Sequence, residues 1–197
     1  MLRFYKPTKG RILIDDIDIN LIDMQQYISL FSAIFQDYRI YAETVKENVM
    51  FDQEDMEKFE KVIHELQIDQ ILQNSNIDYN DVLSKEFEYQ GKELSQGQKQ
   101  KIVLARVLFK SSKILILDEP TAALDAYAEA ELYREFSEIV GRRTVVYISH
   151  RLSAAMVCDK IIVIKDGEVT EQGEHDALMK NKSDYYEMYR RQSKNYK

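Results

Sequence analysis

Lys113-Ile-Leu-Ile-Leu-Asp-Glu-Pro-Thr-Ala-Ala-Leu-Asp125 is the stretch on which the fold of this chain turns. Four consecutive apolar residues, Ile114 to Leu117, leave no polar face. The segment therefore predicts a strand buried on both sides, as in a parallel sheet covered by helices. Asp118 and Glu119 end it abruptly. Open parallel sheets bind ligands in the crevice beyond the carboxyl ends of their strands. A hard carboxylate there suits Mg²⁺ held together with phosphates, and a second one beside it can take a proton from water. The same letters also fit a core strand that runs into an acidic helix start with Pro120 at an early helical position, because Asp and Glu favour helix N-termini.

Working outward, Thr144 to Ile148 (T-V-V-Y-I) repeats the continuous apolar pattern and leads into Ser149-His150-Arg151. This predicts a neighbouring parallel strand whose carboxyl end points His150 into the same crevice. A purely structural histidine fits as well. Tyr127 to Val140 has helical spacing, closed by Gly141 as a C-cap. On the other side, Leu94-Ser95-Gln96-Gly97-Gln98 runs into Lys99 to Lys110, where Ile102, Val103, Ala105, Arg106, Leu108 and Phe109 continue a helix. Ser95 with Gln98 three residues on is a capping box. The free N–H groups and partial positive charge of such a helix start attract phosphate, although an ordinary capped helix has the same signature.

Further upstream, Met1 to Tyr5 reads as the end of an amphipathic helix stopped by Pro7. Arg11 to Asn20 predicts strands with a tight Asp15-Asp16 turn, and Tyr27 to Phe35 a further strand ending at Gln36-Asp37. Thr44 and Glu47 form another capping box, and Asp55 to Leu66 carries Met56, Phe59, Val62, Ile63 and Leu66 on one helical face. Asn74 to Gln90 is polar and poorly periodic. The predicted organisation is a mostly helical subdomain, 43–110, inserted into a sheet-bearing core formed by 1–42 and 111–197. Near the C-terminus, Asp166-Gly167 marks a hairpin within Lys160 to Thr170. Asp176 to Lys197 reads as one basic amphipathic surface helix docked by Tyr185, Tyr186 and Tyr189.

Composition narrows the class. With 45% hydrophobic residues in 197, the chain can bury a proper core. Lys plus Arg is 27 against 34 Asp plus Glu, a net charge of −7, and no basic stripe gathers on one element. That argues against nucleic acid as a partner. The single cysteine, Cys158, fits a reducing compartment and is expected to be a small buried residue. No apolar run approaches the roughly 18 residues of a membrane span and the first residues lack a signal-peptide core, so the chain by itself is expected to be soluble.

Taken in order, Gln36, Leu94-Ser95-Gln96-Gly97-Gln98, Ile114 to Glu119, Ala123-Leu124-Asp125 and His150 resemble the nucleotide-binding domain of an ATP-binding cassette (ABC) transporter. R-F-Y-K-P-T-K-G-R-I-L-I-D and Phe35-Gln36-Asp37 with Glu47-Asn48 are most similar to exporter-type cassettes. The resemblance covers essentially the whole chain. It implies an α/β fold of the P-loop NTPase type: a parallel sheet core, an inserted mostly helical subdomain and an antiparallel β element. It also implies ATP and Mg²⁺ as ligands. By the same resemblance Asp118 holds the metal, Gln36 reaches Mg²⁺ or the attacking water and relays contact with the membrane domain, Glu119 orients or deprotonates the water, and His150 contacts the γ-phosphate. Ser95, Gly97 and Gln98, with Gln96 inside the same run, match the signature motif, which closes over ATP bound to the other cassette of a dimer, and Asp125 sits at the dimer seam. The implied partners are a transmembrane domain and a second cassette, identical or different, with the chain at the cytoplasmic face of the plasma membrane.

Several positions depart from the family pattern. The Walker A loop, G-x-x-x-x-G-K-[ST], does not occur in the sequence, and the resemblance implies that the chain begins inside the helix that follows it. Gln96 replaces the commoner glycine of the signature, and Glu88-Tyr89-Gln90-Gly91 lacks a Glu-Arg pair usual in many exporters. These departures keep two other readings open: a non-catalytic cassette that lends its signature to an intact partner, and a soluble ABC ATPase. The acidic charge and the single cassette weigh against the latter.

Overall fold

The computed structural model describes residues 1–51, 53–84, 91–120, 133–134, 136–138, 140–141, 143–151 and 154–193. Two compact units emerge, Met1–Pro120 with Arg142–Val146, and Thr121–Gly141 with Tyr147–Lys197.

In the first unit, β1 (Leu13–Ile14) and β2 (Ile17–Asp18) pair antiparallel around Asp15 and Asp16. Both turn residues have positive φ, 47° and 64°, as a type I′ hairpin requires and as aspartate tolerates. The predicted strand over Tyr27 to Phe35 is corrected to a helix and a shorter strand: α1 (Met24–Ser29) is followed by β3 (Phe31–Ile34). The physical reason lies upstream, in Asp23, whose carboxylate accepts from the backbone N–H of Gln25 (3.0 Å) and Gln26 (3.1 Å) and so nucleates a turn. Tyr27 and Phe31, four residues apart, then stack at 5.0 Å on the buried side.

Met1 to Tyr5 is not helical, which corrects the second N-terminal expectation. Pro7 cannot continue a helix and restricts the residue before it, so local bonding gives the segment little helical support. Tertiary contacts hold the segment instead. Tyr27 donates its hydroxyl to the Met1 carbonyl, Arg3 donates to the Ile22 carbonyl at 3.0 Å, and Leu2 packs on the cluster of Ile19, Tyr27, Phe31 and Ile116.

The helical region comprises α2 (Val45–Met50), α3 (Met56–Glu65), α4 (Ile68–Asn74) and α5 (Gln96–Phe109). Both predicted capping boxes are present, Thr44 with Glu47 and Ser95 with Gln98, and Asp55 caps α3. Helix α4 follows Gln67 in the left-handed conformation and carried no capping signal in the sequence. Helix α5 packs against α2, α3 and α4. On it, Arg106 donates to the carbonyl of Asn48 (2.8 Å) and to its side-chain oxygen (3.2 Å), with its guanidinium over the rings of Tyr41 (4.8 Å) and Phe51 (5.1 Å). Asn48 is fully buried, accepts from the Tyr41 N–H and shares its amide among the carbonyls of Tyr41, Glu43 and Thr44.

After α5 the chain enters β4 (Ile114–Asp118), which lies parallel to β3 with Phe31 opposite Ile114 and Ile34 opposite Leu117. Leu115, Ile116 and Leu117 are buried, as a strand covered on both faces should be. The sheet order is β3-β4-β5, where β5 (Thr144–Ile148) contributes its residues up to Val146 to this unit.

In the second unit, Tyr133, Arg134, 136–138 and Val140 are helical and Gly141 takes φ 61°, as the C-cap reading expects. The hairpin of β6 (Ile161–Lys165) and β7 (Glu168–Gly173) turns at Asp166 and Gly167, with φ 53° and 82°. The single C-terminal helix is corrected to two, α6 (His175–Asn181) and α7 (Asp184–Ser193). Lys182 in the left-handed conformation ends the first. Lys165 pairs with Asp184 at 2.8 Å, and Tyr185 is buried with Val163 and Leu178. Cys158, expected to be buried, is half-buried and donates to the Ala154 carbonyl.

Two measurable outcomes follow from the helical region. Asn48→Ala strips five hydrogen bonds from a buried site and should lower unfolding free energy by about 2–4 kcal/mol, read by urea denaturation. The carboxylate of Glu47 accepts from the Thr44 hydroxyl (2.6 Å) and N–H (2.9 Å), and these bonds hold its pKa below the ordinary value of 4.5. A lowered folded-state pKa contributes stability that is complete above the unfolded value and is lost as pH falls through the folded one. Stability measured against pH should therefore fall more steeply below about 4.5 in the parent than in Glu47→Gln.

Candidate functional site

The last paired residues of β3 and β4 set the site. Beyond Ile34 the chain makes a turn in which the Tyr38 N–H donates to the Phe35 carbonyl at 3.1 Å, and Gln36 stands exposed within it. Beyond Leu117 come Asp118, which closes β4, and Glu119, both half-buried. Gln36 and the Asp118-Glu119 pair thus leave adjacent parallel strands at the same end of one sheet. Glu119 has φ 46°. A non-glycine residue in that region carries backbone strain of about 1–3 kcal/mol, which no letter of the sequence announced.

Ser95 caps α5 and is exposed, with its hydroxyl accepting from the Gln98 N–H (3.3 Å) while the Gln98 side-chain oxygen accepts from the Ser95 N–H (2.8 Å). Sequence reasoning missed two partners of this corner. The Gln98 amide donates to Ser75 (3.3 Å), and the Gln96 amide donates to the Tyr38 hydroxyl (3.4 Å). The second bond links the start of α5 to the turn that carries Gln36. Partial burial pushes the Tyr38 hydroxyl up, and the bond from Gln96 only partly offsets it. A cleft of about 360 Å³ opens here, lined by Tyr38, Arg39, Leu94, Gln96 and Lys99 among others. One turn into α5, the amide of Gln100 is buried with neither atom hydrogen-bonded among the described residues.

His150 lies two residues past β5, in the second unit, and is exposed. The Arg151 N–H donates to the Ser149 hydroxyl at 2.9 Å, and the His150 carbonyl accepts from the Gln192 amide on α7. Asp125, with Ala123 and Leu124, lies outside the described residues, as does 88–90 of the loop before Ser95. Among the described residues no three His, Cys, Asp or Glu side chains gather as a metal cage. None of their helices is long and apolar enough to cross a membrane.

The family model described as "ABC transporter" matches residues 1–122. The nisin transport ATP-binding protein NisT of Lactococcus lactis subsp. lactis is 39% identical over 189 residues, covering 94% of this chain and 31% of that protein. The subtilin transport ATP-binding protein SpaT of Bacillus subtilis is 38% identical over 180 residues, covering 89% of this chain and 29% of its own length. The chain therefore spans about a third of these relatives. Among solved structures, a bacterial Atm1-family ABC exporter with ATP bound superposes with a TM-score of 0.85 at 30% identity, over 97% of this chain and 33% of that one.

Ser95→Ala removes the cap of α5 without touching the core. It should cost about 1 kcal/mol of stability by denaturant titration.

Proposed function

This chain belongs to the ABC transporter family, and from that premise we propose that it is the ATP-binding and ATP-hydrolysing cassette of an exporter, coupling nucleotide-driven dimerisation to transport. The observation that carries the reading is the in-register parallel pairing of β3 with β4, which brings Gln36, Asp118 and Glu119 to one end of one sheet. In this reading Asp118 and the side-chain oxygen of Gln36 hold Mg²⁺. Two oxygen donors from the protein suit an ion that takes its other ligands from phosphates and water. When bound, the ion neutralises developing charge on the phosphates.

Glu119 orients the attacking water and accepts its proton, from a backbone held at positive φ just past the end of the strand. His150 contacts the γ-phosphate. The N-terminus of α5, with Ser95, Gln96, Gly97 and Gln98, closes over the nucleotide of a second cassette, its N–H groups and partial positive charge facing the phosphates. Asp125 sits at the seam between the two. Residues 43–110 act as the helical subdomain that carries this signature, and the cassette sits at the cytoplasmic face of the plasma membrane against a transmembrane-domain partner.

Two substitutions test the assignment in the full-length protein. Glu119→Gln should keep Mg-ATP binding and lose turnover by about 10² to 10⁴. Hydrolysis within a few-fold of the parent rules out the role of Glu119. Ser95→Arg should leave ATP binding by a single cassette intact while blocking nucleotide-driven dimerisation, measured by light scattering in the Glu119→Gln background. Dimers formed as readily as in the parent refute the action of Ser95 on the partner's nucleotide.

A further inference from the structure

We propose that Gln192 is a positioning residue for His150, so that helix α7 serves as part of the catalytic apparatus instead of being a surface helix alone. The inference rests on the assignment of His150 to the γ-phosphate made above, and all its structural support lies within the second unit. Tyr185, Tyr189 and Gln192 fall at i, i+4 and i+7 of α7 and therefore share one helical face. The two tyrosines anchor that face. Tyr185 is buried, its hydroxyl 2.7 Å from His175 Nδ1 and its N–H donating to the Glu171 carboxylate at 2.7 Å. The Tyr189 ring lies 5.1 Å from that of His175. Lys165 grips Asp184 at the first turn.

Two turns beyond Tyr185, the same face ends in a polar side chain, and the Gln192 amide donates to the backbone carbonyl of His150. On the other side of the peptide, the Arg151 N–H is bound to the Ser149 hydroxyl. The His150–Arg151 peptide plane is thus held at its oxygen by α7 and at its nitrogen by Ser149. Backbone angles select side-chain rotamers, so fixing this plane narrows the directions the imidazole takes. His150 itself is exposed, two positions past the end of β5.

Steady-state hydrolysis of Mg-ATP by the full-length protein, with melting temperature recorded for each variant, tests this. Gln192→Leu removes the donor, Gln192→Glu keeps the shape but not the donor, and Gln192→Lys restores a donor at similar reach. The Leu and Glu variants should lose about tenfold in kcat, the scale of a small misplacement of a reacting group, with KM for Mg-ATP unchanged. The Lys variant should recover most of the loss. His150→Ala is the reference. Parent-like turnover in His150→Ala overturns the underlying assignment of the histidine. An inactive His150→Ala beside parent-like Gln192→Leu and Gln192→Glu overturns the positioning role alone. A loss that Lys does not rescue, or one that raises KM and lowers the melting temperature in step with kcat, marks Gln192 as structural and overturns it as well.

Discussion

Everything assigned to the site depends on β3 lying parallel to β4 without a register slip. A shift of one residue would turn Ile116 and Leu117 away from their packing and would stagger the two strand ends by about 3.3 Å. The register is enforced from both sides. Ser32 and Ser112, both buried, share a 2.7 Å hydrogen bond across the start of the pair, and Lys110 reaches the Phe31 carbonyl at 2.8 Å. A buried hydroxyl pair left unmade costs more than it contributes when formed, so these bonds discriminate against slipped pairings.

Helix α5 depends on that pairing and extends it. The loop just after β3 meets α5 twice: Tyr38 receives the Gln96 amide near the capped N-terminus, while Arg106, ten residues along, donates to the Arg39 carbonyl at 3.2 Å and lies over the Tyr41 ring. Burial pushes the Arg106 guanidinium downward from its ordinary pKa, yet it stays a cation with aromatic faces and backbone carbonyls as its surroundings. The loop that carries Gln36 and the helix that carries Ser95 are therefore one mechanical piece. Asn48 completes it by satisfying the backbone of the Tyr41–Thr44 segment from inside.

Local chemistry was legible in the letters, and long-range chemistry was not. A continuous apolar run announced β4 because a strand covered on both faces has no polar side to display, and the same kind of run announced β5, whose residues are half-buried or exposed. Ser95 with Gln98, Thr44 with Glu47, and the Asp15-Asp16 and Asp166-Gly167 turns were readable because each is decided by bonds or φ values within four residues. Tyr27 to Phe35 misled because an apolar run of that length fits helix or strand, and only the Asp23 cap and the partner Ile114 decide between them. The tail split for a similar reason, since Tyr185 and Leu178 share one buried cluster that two short helices can reach from opposite sides of Lys182.

The sequence by itself determined the family resemblance, the parallel-strand core and the identity of Gln36, Ser95, Asp118, Glu119 and His150 as site residues to be tested, because residue type and spacing along one chain carry that information. Only the tertiary structure decided that Glu119 stands at positive φ, that Gln96 binds Tyr38 and Arg106 binds Asn48, and that Gln192 meets the carbonyl of His150 forty-two residues away. The last three join a local element to a distant one. Such contacts arise from how elements pack once loop closure has been paid in entropy, and periodicity along the chain holds no record of it.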